Sequence, residues 1–159
     1  MTVSIRPAAR ADVPTILRFV RELAEFEREP DAVEATAPML ERALFEEHAA
    51  EAVIAERDGA PVGFALFFHN FSTWTGRKGL YLEDLYVTSE ARGSGVGRAL
   101  LRHLAALAAA RNCARFEWAV LDWNQPAIDF YTSQGATMQA DWRIERVSGK
   151  ALARLAEGG

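Results

Sequence analysis

From Leu80 to Ala110 the chain reads LYLEDLYVTSEARGSGVGRALLRHLAALAAA, and this stretch limits the fold more than any other. Leu80, Leu82, Leu85 and Val87 among aromatic neighbours read as a strand, followed by a polar turn at Thr88 to Glu90. Arg92-Gly93-Ser94-Gly95-Val96-Gly97 is a glycine-punctuated loop, after which Val96, Leu100, Leu104 and Leu107 recur at three- and four-residue steps, the spacing of one buried helical face. The predicted unit is strand, glycine loop, helix. A helix start leaves backbone N–H groups without acceptors and carries the positive end of the helix dipole. Glycines there let a phosphate reach the main chain, and Arg92 and Arg98 add positive charge, so the expected ligand is a phosphate or pyrophosphate.

Spacing separates the known phosphate loops. A P-loop ends in Gly-Lys-Ser or Gly-Lys-Thr, whereas Gly97 is followed by Arg98-Ala99. The dinucleotide fingerprint needs G-x-G-x-x-G, and counting from Gly93 the third glycine comes one residue early. What remains is Arg-x-x-Gly-x-Gly at Arg92, Gly95 and Gly97.

The 159 residues fit one domain, 1–159, with no internal repeat and no linker-like tract. No run of about 18 apolar residues suggests a membrane span. Arg6, Arg10 and Asp12 stand where a signal peptide would carry an apolar core, and Cys113 is the one cysteine, so the expected compartment is the cytoplasm. A net charge of −4 argues against nucleic acid as the main partner and slightly favours a cationic one. His48, His69 and His103 lack metal-ligand spacing, and no metal is expected.

In chain order, Val3 and Ile5 open a strand ending at Pro7, and Asp12 and Pro14 start a helix, with Asp12 as its cap, that runs to about Arg28 and stops before Pro30. Thr36 caps a second helix. Ala52–Glu56 and Pro61–Phe71 pair through a hairpin at Asp58-Gly59 and lead into the central strand. After the central helix, Arg115–Leu121 reads as a strand, and Asn124 with Pro126 starts a short helix stopped by Gly135. Thr137–Met138 and Trp142–Val147 are expected as final strands, with Ser148 capping a closing helix. The order βααβββαβαββ is an α/β fold.

The loop at Arg92–Gly97, this element order, and NQPAIDFYTSQGA at Asn124–Ala136 together resemble the GCN5-related N-acetyltransferases (GNAT) over nearly the whole chain. The resemblance implies a mixed, mostly antiparallel sheet flanked by helices, with acetyl-CoA as cosubstrate. Glu22-Leu23-Ala24-x-Phe26-Glu27, Gly79-Leu80-Tyr81-Leu82-Glu83-Asp84 and Trp123-Asn124-Gln125-Pro126 further resemble the spermidine/spermine and thialysine acetyltransferase branch. That branch implies a homodimer acting on a small amine. Phe26 departs from its pattern, standing where tyrosine is more common in the polyamine enzymes.

The resemblance implies cofactor contacts at Leu85, Tyr86, Val87, at Arg92, Gly93, Ser94, Gly95, Val96, Gly97 and Arg98, and at Asn124 and Tyr131. An alkylamine of pKa about 10 must lose a proton before attacking a thioester. Glu83 is the expected acceptor through a water, with Asp84 or Glu27 holding the other charge of a diamine. Strand alternation predicts opposite faces for Glu83 and Asp84. Tyr131 matches the family's general acid toward the departing thiolate, and a main-chain N–H near Tyr86 or Val87 is expected to polarise the carbonyl. Phe26 and Trp123 are candidate acceptor-pocket walls. Cys113 has no histidine and carboxylate spaced with it and reads as a packed thiol. The competing readings are acetylation of a protein N-terminus or lysine and, in another class, a non-catalytic acyl-CoA-binding module.

Overall fold

The computed structural model describes residues 2–158. The chain divides into two compact units, one ending at Leu121 and one beginning at Asp122. In the first, β1 (Val3–Pro7), β2 (Glu51–Arg57), β3 (Ala60–Ser72), β4 (Arg77–Val87) and β5 (Phe116–Trp118) form a sheet in that spatial order. The first four strands are antiparallel, and β5 pairs parallel to β4. The helices of this unit are α1 (Val13–Phe26), α2 (Ala37–Phe45) and α3 (Val96–Ala110), α3 being the crossover from β4 to β5.

The two sheet faces follow from alternation along β3. Phe64 packs toward α1, its ring 5.8 Å from that of Phe19, within a core that also takes Ile16, Leu44 and Ile54. Its neighbour Gly63 faces α3, where a β-carbon would meet Val96 and Leu100 and come 2.7 Å from the Tyr86 carbonyl oxygen. Only glycine allows that approach. On α3 itself Val96, Leu100 and Leu104 are buried as expected, Leu101 and Ala108 are buried beside them, and Leu107 is half-buried.

Local signals hold at several places. The β2–β3 turn has Asp58 at φ 54° and Gly59 at φ 78°, the left-handed pair that suits a two-residue hairpin. Thr36 caps α2 by accepting from the Met39 N–H. Asp12 does not cap α1: its carboxylate accepts from the Ala9 N–H at 2.7 Å and from Arg6 at 2.7 and 2.9 Å, and Arg6 also donates to Glu56. The carboxylate ties β1 to the turn before the helix instead.

Three strand expectations change. The strand read at Arg115–Leu121 is reduced to Phe116–Trp118, because only Leu80–Leu82 of β4 stay paired with it. In the second unit, α4 (Gln125–Ser133) and α5 (Gly149–Ala156) form, but Thr137–Met138 and Trp142–Val147 are not strands. Alternating apolar residues make a strand only where an edge is offered to them. Here Met138, Trp142 and Ile144 are exposed.

Candidate active site

The pairing between β3 and β4 slips by one residue: Leu66 lies opposite Asp84, whereas Phe67 lies opposite Leu82, so Glu83 is the extra residue of a β-bulge. The slip changes which side chains share a face. Leu82, Leu85 and Val87 turn toward α3, while Asp84 and Tyr86, opposite Leu66 and Phe64, turn toward α1. A bulge residue leans with its neighbour, so Glu83 joins Asp84 on the α1 side, and the opposite faces expected from simple alternation are not found.

The electrostatics agree with this grouping. Burial pushes the Asp84 carboxyl up to about 6, with the charges of Glu83 and Glu27 adding to the shift. Glu27, just past the end of α1, is also raised, first by burial and then by Glu83. Glu83 and Glu27 thus both act on Asp84, and Glu83 on Glu27, so negative charge from two elements accumulates on the α1 side of the bulge.

Beyond the bulge β4 keeps one edge open, since β5 pairs only with Leu80–Leu82. Thr88 N–H donates to Val62 O at 2.9 Å on the β3 side. By strand alternation Tyr86 and Asp84 also turn their amides toward β3, and Leu85 and Val87 turn theirs to the open edge. Of the two amides named for carbonyl polarisation, Val87 faces outward and Tyr86 does not. The Tyr86 side chain is buried, donating from Oη to Glu22 Oε1 at 2.6 Å, with its ring 5.5 Å from Phe19. Burial, then the carboxylate of Glu22, raises its phenol to about 12.

After Val87 the chain makes one turn at Ser89–Ala91 and enters the glycine loop. Gly95 precedes α3 at φ 90°, a conformation that suits glycine, and no side chain caps the helix. A β-carbon at Gly93 or Gly95 would meet nothing within 4 Å, so the main chain there lies open from outside. An uncapped, open helix start fits the pyrophosphate of a coenzyme A ester. Ser94 Oγ donates to the Ala91 carbonyl and accepts from Arg57 Nη1 at 3.2 Å, which brings a cation from β2 to the loop. Arg57 carries no local signal in the sequence that would mark it, since it arrives through the β2–β3 hairpin. Val96 is buried and Gly97 half-buried in the first turn of α3, while Arg98 is exposed.

Arg92 sits differently from the other loop residues. Its Nε donates to the Val87 carbonyl at 3.2 Å, and its guanidinium lies 5.0 Å from the ring centre of Phe26 and 5.7 Å from that of Tyr86. Phe26, the last residue of α1, is 46% exposed, so its ring is covered by Arg92 and still open to solvent. Glu22 opens one of the motifs that carry the branch resemblance, but its part as the acceptor of the Tyr86 phenol is revealed by the fold alone. It lines a cleft of about 530 Å³ between α1 and the segment 30–37, together with Leu17, Arg21 and Val33.

In the second unit Asn124 caps α4, its Oδ1 accepting from the Ala127 N–H at 3.4 Å. Trp123 is 39% exposed one residue before it. Tyr131 lies in the last turn of α4, half-buried, its ring 5.4 Å from Phe130. Gly135 stops the helix at φ 101°. Among the described residues no group of three or more His, Cys, Asp or Glu side chains gathers as a metal site would require, and no helix is long and apolar enough to cross a membrane.

Residues 16–136 match the model of the acetyltransferase (GNAT) family. The chain is 40% identical over 167 residues to a thialysine N-epsilon-acetyltransferase of Sus scrofa, with 98% of each chain covered. It is 37% identical to a spermidine/spermine N(1)-acetyltransferase-like protein 1 of Homo sapiens, over 96% of this chain and 23% of that one. The structure of an integron cassette protein from the mobile metagenome of V. cholerae superposes with a TM-score of 0.82 at 29% identity, covering 99% of both chains.

Proposed function

The chain belongs to the GNAT family of acetyltransferases, in its diamine and thialysine branch, and from that premise we propose that it moves the acetyl group of acetyl-CoA to a primary amine of a small di- or polyamine or a lysine-like amino acid. The observation that supports this substrate class most is the trio Glu27, Glu83 and Asp84, gathered where the bulge begins the open edge of β4. A second ammonium or a lysine-like chain suits such a negative site.

In this reading the pyrophosphate rests on the loop from Gly93 to Arg98, with Arg57 as a further cation, and the Leu85 and Val87 amides hold the pantetheine arm and the thioester carbonyl. The ammonium loses a proton through water to Glu83, and the free amine attacks the carbonyl carbon. The C–S bond breaks, the electron pair leaves on sulfur, Tyr131 protonates the thiolate, and the second proton that the new amide nitrogen sheds restores the Tyr131 phenol. Asp84 and Glu27 hold the remaining positive charge of the acceptor, with Phe26 and Trp123 as apolar walls and Asn124 as a cofactor contact. The reading uses no metal and treats the 159 residues as one N-acetyltransferase domain.

The working form in this proposal is a cytoplasmic homodimer. Trp142, Ile144, Val147, Leu152 and Leu155 are exposed, and the stretch Trp142–Val147 has the alternation of a strand without pairing as one. A second copy offers such a segment an edge and an apolar face. Light scattering on the purified protein tests this, with a monomeric mass overturning it.

The activity itself is tested by acetyl-CoA-dependent thiol release against spermidine, spermine, putrescine, thialysine, lysine and a lysine peptide, with mass detection of the product. Turnover of one of the small amines is expected. Turnover of the peptide alone would move the assignment to protein acetylation, and acetyl-CoA binding without any product would favour a binding module.

A further inference from the structure

We propose that Arg92 is a positioning residue for the acceptor side of the site, holding Phe26 and the last turn of α1 against the start of the cofactor loop. The inference rests on the amine-acetyltransferase reading for its kinetic consequence, though not for the contact itself. Arg92 opens the glycine motif, and by sequence it counts as one more cation for the phosphates. In the fold its Nε donates to the Val87 carbonyl on the open edge of β4, and its guanidinium carbon lies over the rings of Phe26 at 5.0 Å and Tyr86 at 5.7 Å. Tyr86 is itself fastened to α1 by the 2.6 Å bond to Glu22. Arg92 thus closes a circuit from β4 through the loop to the end of α1.

Phe26 precedes Glu27, one of the three coupled carboxylates, so whatever fixes the Phe26 ring also fixes the turn that aims Glu27. Guanidinium is suited to this because it stacks and donates in its plane at once, whereas a lysine ammonium offers a point charge on a flexible stem. The Phe26 position, occupied here by a ring without a hydroxyl, is then a specificity element whose pose is set from the cofactor loop.

The test uses Arg92→Lys, Phe26→Leu and the double variant of the full chain, with melting temperatures to verify folding. Both residues are exposed or partly so, and the variants are expected to fold. With the amine that turns over best, each single change is expected to raise the amine KM by about three- to five-fold with kcat nearly unchanged, the range of an exposed cation–π contact. The double variant should be no worse than the poorer single one. Additive losses, or a rise confined to the acetyl-CoA KM in Arg92→Lys, would overturn the proposal.

A second readout needs no turnover. The Arg92 side-chain protons should show an upfield ring-current shift in the NMR spectrum, kept in Phe26→Tyr and reduced in Phe26→Leu to the share that the Tyr86 ring supplies. Should the wild type acetylate no amine, the functional reading fails while this shift still decides the contact. An Arg92 signal indifferent to Phe26→Leu overturns it.

Discussion

Tyr86 and Glu22 lie 64 residues apart and meet in a 2.6 Å hydrogen bond that joins the central strand to the first helix. The phenol donates, the carboxylate accepts, and the bond forms at the rim of the core where Phe19 packs on the Tyr86 ring. Tyr86→Phe removes the donor and leaves the carboxylate with Arg18 at 3.4 Å. A loss of about 1 kcal/mol is expected, read as a lower urea midpoint with unchanged slope. The phenol also titrates late, at about 12 against an ordinary 10. Since the raised value belongs to the folded state, the associated stability is complete below pH 10 and fades as the pH rises toward 12. Absorbance at the phenolate band should show one tyrosine ionising later than the rest.

Asp12 makes the opposite prediction at acid pH. The hydrogen bond from Arg6, more than its charge alone, holds this carboxyl below its usual range. The stability it contributes is present above the unfolded value of 3.8 and is lost as pH falls through the lower folded value. Asp12→Asn should therefore cost roughly 1 kcal/mol near neutrality, allowing for the partial exposure of Arg6, and should flatten the acid limb of stability. Denaturation midpoints from pH 2 to 7 in the two proteins check this; parallel curves would remove Asp12 from the acid response.

These two pairs also mark how far the sequence could be read. The loop at Arg92–Gly97, the Asp58-Gly59 turn and the Asn124 cap are local devices, each complete within a few residues, and so each was visible before the fold. The bulge at Glu83 was not, because a slip in register belongs to the pair of strands and not to either one. It puts Glu83 and Asp84 on one face where simple alternation predicts two, and Glu27 joins them from another element. The contacts of Glu22 and Arg57 escaped for the same reason, their partners being 64 and 37 residues away. Trp142–Val147 erred in the other direction: alternation was legible, but an edge to pair with is not encoded in alternation.

Asp84 should show a conflict between stability and activity. Its folded carboxyl titrates at about 6 against 3.8 unfolded, so its ionisation destabilises the fold as pH rises through 6. Asp84→Asn is expected to stabilise the protein by about 1–2 kcal/mol at pH 8, after allowance for solvent screening, and to have no such effect at pH 3. The same change should weaken amine binding and remove an acid limb near pH 6 from the kcat/KM profile. A variant no more stable at pH 8 than the parent would show that the carboxyl is strained neither by burial nor by its neighbours.

Gly95→Ala tests the loop without altering any polar group. At φ 90° the alanine is strained, which costs about 1–2 kcal/mol, although its β-carbon meets nothing within 4 Å. Relief of that strain would tilt the first N–H groups of α3 away from the phosphate position. Acetyl-CoA affinity, measured by calorimetry, should fall about ten-fold, with the amine KM changed much less. An unchanged affinity would mean that this helix start does not carry the pyrophosphate.

Tyr131→Phe separates binding from proton transfer. The ring remains, including its packing 5.4 Å from Phe130, and only the phenolic O–H is lost. If that group delivers the proton to the departing thiolate, it acts in the transition state and contributes little to the ground-state complex. Turnover should then fall by about 10²-fold or more, while the acetyl-CoA dissociation constant stays within about two-fold. A thioester with a more acidic thiol needs less help in leaving, so an activated acyl donor should narrow the gap between variant and parent. An equal deficit with both donors would assign the hydroxyl to positioning, and full activity would move the acid to another group or to solvent.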